Sequence, residues 1–209
     1  MDSFISKELL KEKAEMFHVK LDEDALERFD IYAKLLVEWN EKINLTAITD
    51  PEGIVIKHFT DSLTIFSAVD IPEGAKVIDV GTGAGFPGLA MLIARPDLDV
   101  TLMDSTNKRL TVINDILDKI GLTANVVHSR AEEAGKKPEF REQYDFSTAR
   151  AVTNLRDLAE YCLPFVKVGG SFVLMKAAKA DEEIAEGKKA IKILGGEIAD
   201  KKTFELFDA

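Results

Sequence analysis

The chain has 209 residues, 46% hydrophobic and 31% charged, and none of its apolar runs approaches the roughly 20 residues that a membrane-spanning helix needs. A chain of this length buries about 70% of its unfolded surface, which is enough for one substantial core. Thirty-seven acids against twenty-seven lysines and arginines give a formal charge of −10, so the molecule as a whole repels polyanions and any nucleic-acid partner needs a local basic patch. The single cysteine, Cys162, excludes an internal disulfide and a multi-thiolate metal site. The first residues, M-D-S-F-I-S-K-E, lack the basic-then-apolar order of a secretion signal, which makes the cytoplasm the expected compartment.

Residues 1–70 read as a helical lead-in. Leu26, Phe29, Ala33, Leu36 and Val37 recur at helical spacing behind Asp22-Glu23-Asp24, acids that suit a helix N-terminus. A further helix is predicted to begin at Asp50, a capping side chain followed by Pro51, and to run through I-V-I-K-H-F-T-D-S-L-T-I-F. After Ile71-Pro72 the rhythm becomes strand, turn, helix. Strands are predicted at 76–80, 99–104, 124–128, 144–149 and 171–176, and a last candidate strand at 196–206. Helices are predicted at 89–95, at 107–120 with Gly121 as its C-cap, around 155–167 and at 181–194. The alternation argues for an α/β fold over residues 71–209, an open, doubly wound and mainly parallel sheet covered on both faces.

The strongest chemical signal is V-I-D-V-G-T-G-A-G-F-P-G at 77–88, between the first strand and its helix. Glycines there allow a tight turn and close approach of a ligand, and the helix N-terminus behind them offers unpaired N–H groups. Gly83, Gly85 and Gly88 satisfy the dinucleotide pattern G-x-G-x-x-G, whereas Gly81, Gly83 and Gly85 form G-x-G-x-G with Asp79 two positions ahead. The carboxylate of Asp79 suits a cationic methionine amino group better than an anionic pyrophosphate, which favours S-adenosylmethionine over a nicotinamide dinucleotide. Asp104 closes the second strand, where an acid commonly accepts from ribose hydroxyls.

Seven segments stand in order along the chain: N-L-T-A-I at 44–48, H-F-T-D-S-L at 58–63, D-V-G-T-G-A-G-F-P-G at 79–88, L-M-D-S-T-N-K-R at 102–109, S-R-A-E-E at 129–133, A-R-A-V at 149–152 and L-M-K-A-A at 174–178. In these the chain resembles the RsmG (GidB) family of class I methyltransferases, which modify N7 of a guanine in 16S rRNA. The resemblance implies a Rossmann-like fold, S-adenosylmethionine as methyl donor, and small-subunit rRNA or a small-subunit particle as partner. It also implies that Gly81 and Phe86 line the donor pocket, that Asp104 lies near the ribose, that Ala131 and Glu132 lie at the adenine edge, and that Arg150 reaches into the same cleft. No membrane partner and no metal are expected, and the chain is read as a monomer.

Guanine N7 carries a lone pair and no proton, so its attack needs orientation rather than a general base. His58 and Asp61 stand three residues apart on one helical face, which suits a His–Asp pair fastening the lead-in to the sheet. The resemblance puts this motif beside the methyl-transfer site, and with Lys176 the two are candidates for positioning rather than proton transfer. His18 reads as a surface or packing residue, and His128, at the end of the third strand, as structural or ligand-proximal. Arg109, Arg150 and Lys176 are the basic residues best placed for RNA. Cys162, among Leu158, Tyr161, Leu163 and Phe165, reads as core. Sheets of this class end in a two-stranded hairpin, and only one candidate strand follows the helix at 181–194, which suggests a truncated C-terminus. Two other readings stay open: an NAD(P)-dependent oxidoreductase, and a non-catalytic RNA-binding or assembly module on the same fold.

Overall fold

Among the described residues five strands form one sheet in the order β3-β2-β1-β4-β5, with every neighbouring pair parallel. They are β1 (Lys76–Val80), β2 (Asp99–Asp104), β3 (Asn125–His128), β4 (Tyr144–Arg150) and β5 (Val166–Met175). The computed structural model describes residues 3–150, 154–176 and 180–206. The chain steps outward from β1 to β3 and then returns to the other side of β1 to lay down β4. The strand order therefore reverses beside β1, and a crevice opens at the carboxyl ends of β1 and β4, where open α/β sheets hold their ligands. Register puts Val80 beside Met103 and Asp79 beside Thr148, so the loops after β1, β2 and β4 leave the sheet at one edge.

Helices cover both faces. On one lie the lead-in helices α1 (Lys7–Met16) and α2 (Glu23–Asn40), with α6 (Gly88–Ala94) and α7 (Asn107–Ile120); Leu10, Phe29, Tyr32, Leu36, Leu89 and Ile113 share one apolar cluster with Val77 of β1. On the other lie α8 (Ala131–Ala134), α9 (Leu155–Cys162) and, against α9, α10 (Ala180–Ile193). Strand periodicity sends Ile78 and Val80 to this second face, with Met103, Leu158, Cys162 and Phe165. Asp79, one residue out of phase with them, points toward α6.

Local chemistry explains the predicted starts and stops. Asp22 Oδ1 accepts from the Ala25 N–H at 2.8 Å and Asp50 Oδ1 from the Gly53 N–H at 2.6 Å, so both caps stand where the sequence puts them. Gly121 ends α7 in the left-handed region. The helix that begins at Pro51 is less regular than its periodicity implies. After α3 (Pro51–Gly53) it widens into a π-helix over Ile54–Thr60, tightens again in α4 (Asp61–Leu63), and ends in α5 (Ile65–Ala68).

Two boundaries differ from expectation. The helix expected around 155–167 stops at Cys162, because Pro164 has no N–H to continue it; a 3₁₀ turn over Leu163–Phe165 follows, and β5 begins at Val166 rather than at 171. No strand forms at 196–206, where the sequence offers one. That segment instead runs to the lead-in, where Lys202 Nζ donates to the Ser67 carbonyl at 3.1 Å and Phe204 packs edge-on against Phe17, ring centres 5.5 Å apart. An aromatic contact with the lead-in replaces pairing with β5. The helix expected at 181–194 is α10. Residues 151–152 and 177–178 of the quoted motifs lie outside the described residues.

Candidate functional site

The loop after β1 is tied down on both sides. The N–H groups of Gly81 and Thr82 both donate to the Met103 carbonyl at 2.9 Å, and Gly83 N–H donates to Asp104 Oδ2 at 3.0 Å. Gly85 has a φ of +106°, and a side chain there would bring its Cβ within 2.5 Å of the Tyr32 hydroxyl. That hydroxyl donates to the Ala84 carbonyl at 2.6 Å, so α2 of the lead-in braces the loop directly.

Beneath the loop lies Asp79, with no exposed surface. Its Oδ2 accepts from the Gly88 N–H at 2.9 Å, at the start of α6, while Oδ1 makes no well-formed hydrogen bond among the described residues. Burial pushes its carboxyl up to about 6, against the pull of the Thr82 hydroxyl and then of the Gly88 N–H. The Thr82 hydroxyl, also buried, faces this carboxylate without closing a well-formed hydrogen bond to it. Native proteins rarely leave buried polar atoms unpaired, so a carboxylate oxygen with spare acceptor capacity under a glycine loop at the crevice is suited to a polar ligand. The residues present thus fit a group with a cationic, hydrogen-bonding end.

Asp104 is almost fully buried, and its own loops hold it. Oδ1 accepts from the Thr106 N–H at 2.8 Å, Oδ2 from Gly83, and Arg109 Nη1 stands 3.5 Å from Oδ2. Two carboxylate oxygens offer about four lone-pair sites, so room for hydroxyl donors remains beside these contacts. Beyond β3, the Ser129 N–H donates to the Asp104 carbonyl at 3.2 Å and His128 Nε2 lies 3.0 Å from the Ser105 carbonyl; Ala131 and Glu132 follow in α8, the first half-buried and the second exposed.

A second polar cluster gathers at the end of β4. Arg150 Nη1 donates to Asp61 Oδ2 at 3.1 Å and to the Lys57 carbonyl at 3.2 Å, and Nη2 donates to His58 Nδ1 at 3.2 Å. His58 Nε2 lies 2.8 Å from Thr46 Oγ1. The expected direct His58–Asp61 pair does not form; Arg150 stands between the two and binds both, because the π-turn brings the Lys57 carbonyl and the His58 ring to the same guanidinium. Burial, with Arg150 second, pushes the His58 imidazole down to about 4, so the ring is neutral near pH 7. Burial also raises the Asp61 carboxyl, against the pull of Arg150.

Phe86 belongs to this cluster. Its ring is only 4% exposed, with Tyr32 stacked at 5.3 Å, His58 at 4.6 Å and the Arg150 guanidinium carbon 4.6 Å from its centre. The basic candidates are each paired with acid: Arg109 with Asp104, Arg150 with Asp61, and Lys176 with Glu183 of α10. Tyr32 and Thr46 are functional-looking residues that periodicity does not reveal. Tyr32 sits on an apolar helix face, and the partner of Thr46 lies across a loop. Among the described residues no cluster of His, Cys, Asp or Glu could hold a metal ion, and no helix is long and apolar enough to cross a membrane.

Cys162 is buried in the second cluster, and burial pushes its thiol far above the ordinary range. The native protein is therefore expected to resist an aromatic disulfide reagent and to react only on unfolding; rapid labelling of the folded protein would contradict this.

The sequence family described as rRNA small subunit methyltransferase G, GidB, matches residues 25–205. The chain is 50% identical over 194 residues to the ribosomal RNA small subunit methyltransferase G of Clostridium beijerinckii, covering 92% of this chain and 81% of that one. It is 48% identical over 201 residues to the protein of the same name from Acetivibrio thermocellus, covering 96% and 82%. Among solved structures it is similar to a SAM-dependent O-methyltransferase from Thermotoga maritima, with a TM-score of 0.51, 20% identity, and 76% and 55% of the two chains covered. Precorrin-6y C5,15-methyltransferase from Geobacter metallireducens gives a TM-score of 0.51 at 17% identity, covering 73% and 75%. At these identities the two structures speak for the fold, a Rossmann-like α/β architecture.

Proposed function

Because the chain belongs to the GidB family, the rRNA small subunit methyltransferase G proteins, we propose that it transfers a methyl group from S-adenosylmethionine to N7 of a guanine in 16S rRNA. The observation that carries the donor assignment is the buried Asp79 carboxylate, whose Oδ1 makes no well-formed hydrogen bond, under a glycine loop at the switch point of the sheet. When bound, the donor supplies a methyl group already activated by a positively charged sulfur. In this reading the backbone at Gly81, Gly83 and Gly85 lies along the donor, Asp79 offers negative charge to its amino group, and Asp104 takes its ribose. Ala131 and Glu132 border its adenine, and Phe86 and Arg150 bound the same pocket.

The chain's own residues have little proton chemistry to perform. N7 has no proton to lose, and a neutral, hydrogen-bonded His58 is consistent with that. Their work is to orient, an effect of about 7–11 kcal/mol in favourable cases, and to exclude water. Lys176, His58 and Asp61 are taken as positioning groups. Arg109, Arg150 and Lys176 are taken as RNA contacts, for which Arg109 and Lys176 exchange their present acidic partners for phosphate or base while Arg150 stays paired with Asp61. Their neutralisation should lower both RNA affinity and its salt dependence. We take residues 1–70 as a helical lead-in packed on a donor-binding unit at 71–209, and the protein as a cytoplasmic monomer acting on naked rRNA or a small-subunit particle.

Incorporation of labelled methyl into undermethylated small subunits, mapped by mass spectrometry to a guanine N7, tests the reaction. Stabilisation by nicotinamide dinucleotides alone, with no heat of binding from S-adenosylmethionine or its demethylated product, would overturn it. Asp104→Asn, which removes the charge from the proposed ribose acceptor, is expected to weaken donor binding about tenfold, or about 1.4 kcal/mol, by calorimetry. Unchanged affinity would remove Asp104 from the site.

A further inference from the structure

Building on this reading of the crevice, we propose that His58 is a positioning residue, whose Nδ1 acts as a fixed acceptor that sets the plane of the Arg150 guanidinium over Phe86. The argument starts from donor counting. A guanidinium has only N–H donors, so the 3.2 Å contact from Arg150 Nη2 requires a lone pair on His58 Nδ1. The ring proton then sits on Nε2 and is donated to Thr46 Oγ1 at 2.8 Å. Thr46 Oγ1 also accepts from the Ile48 N–H at 3.0 Å, so the hydroxyl oxygen receives two donors with its two lone pairs. The other tautomer would set N–H against N–H at Arg150, with only the Lys57 carbonyl, which already accepts from Arg150 Nη1, to take the ring proton.

Thr46 is itself held in place. Asn40 Oδ1, at the end of α2, accepts from the N–H groups of Leu45 and Thr46 at 2.8 and 3.0 Å, which shapes the loop that carries Thr46 to the imidazole. A relay of polar contacts therefore runs from α2, through Asn40, Thr46 and His58, to the end of β4. It links N-L-T-A-I and H-F-T-D-S-L with the arginine of A-R-A-V, which lies 92 positions beyond His58, at one guanidinium.

Asp61 alone would not do this. The ion pair uses Nη1, as does the bond to the Lys57 carbonyl, and both leave the far side of the guanidinium without a partner of its own. The Nη2 contact to His58, with the Phe86 ring beneath at 4.6 Å, fixes the remaining rotation. Asp61 supplies charge, and His58 supplies direction. A neutral ring is the species the geometry needs, since an imidazolium would present two donors and no acceptor.

The test separates the two ring nitrogens. His58→Asn puts an amide oxygen near the place of Nδ1, whereas His58→Gln reaches toward Thr46 and leaves Arg150 without its acceptor. For methyl transfer to small subunits, kcat is expected to stay within about threefold of wild type in His58→Asn and to fall about tenfold or more in His58→Gln, at equal Tm. In an Arg150→Lys background, His58→Gln should add little further loss, because the group it acts through has already changed. Equal losses in the two His58 variants, or losses that multiply with Arg150→Lys, would overturn the proposal. Nitrogen-15 NMR of labelled histidine gives a readout that needs no activity. It should find His58 as the Nε2–H tautomer, with a resonance that shifts in Arg150→Lys; the Nδ1–H tautomer would sink the proposal even in an inactive protein. Absence of methyl transfer by wild type would count against the proposed function alone, leaving the NMR result to decide the contact.

Discussion

Gly88→Ala is expected to cost about 3 kcal/mol or more of stability and to abolish donor binding, although Gly88 lies at the far end of the glycine loop. A Cβ at Gly88 would stand 2.6 Å from Asp79 Cβ and from Leu102 Cδ2, and 2.8 Å from Asp79 Oδ2. Asp79 Cβ is fixed to the backbone of a central strand, and Leu102 Cδ2 and Asp79 Oδ2 end side chains with no exposed surface, so little room is left for them to swing aside. The clash would also push apart the Gly88 N–H and the Asp79 carboxylate it serves, 2.9 Å away, leaving a buried charge with less support. Gly81→Ala is the internal control. Nothing lies within 4 Å of its Cβ, so its cost is the backbone strain of a φ of +75°, about 1–2 kcal/mol. Urea denaturation of the two variants should rank Gly88→Ala well below Gly81→Ala. The reverse order would mean that the close packing of α6 on β1 contributes less than the turn.

Asp79→Asn should act in the opposite direction on stability and in the same direction on binding. Burial raises the folded carboxyl from 3.8 to about 6, so between those values the folded protein holds a proton that the unfolded chain has lost. Wild-type stability from this group therefore falls as pH rises through that window, and above it the full penalty, about 3 kcal/mol for two pKa units, is present. The amide carries no charge and escapes the penalty. The stability of Asp79→Asn relative to wild type is expected to rise between about pH 4 and pH 6 and to be flat on either side. Taking the difference cancels carboxylates that shift the other way, such as Asp97, which Arg95 holds down to about 2. Binding should show the converse. The variant lacks the negative charge proposed to meet the donor's amino group, so its affinity should drop, and wild-type binding near pH 6 should release a proton. A stability difference that does not change with pH would show that Asp79 titrates as an ordinary carboxylate.

The features legible in the sequence are those with local causes. The caps at Asp22, Asp50 and Gly121 depend on a side chain or a φ angle within a few residues. The alternation of apolar strands with helices implied a parallel sheet, because buried strands and amphipathic helices each leave a periodic record. The glycine loop and Asp104 fall at strand ends, where such a sheet must place a ligand. Where local signals were weak, the boundaries moved. Pro164 ended α9 early, and Gly169-Gly170 interrupted the short V-K-V alternation at the start of β5.

What only the tertiary structure decided are the contacts between distant residues. Arg150 meets His58 across 92 positions of chain, through a π-turn that 3.6-residue periodicity cannot register. The expected His58–Asp61 pair gives way to a shared arginine for that reason. Phe86 turns inward because Tyr32, His58 and Arg150 together cover its ring, and Phe204 draws 196–206 to the lead-in rather than to the sheet. Each outcome is set by which surfaces remain to be covered once the sheet and helices have packed. Composition and spacing carry no record of that, since burial and hydrogen-bond pairing depend on neighbours the fold supplies.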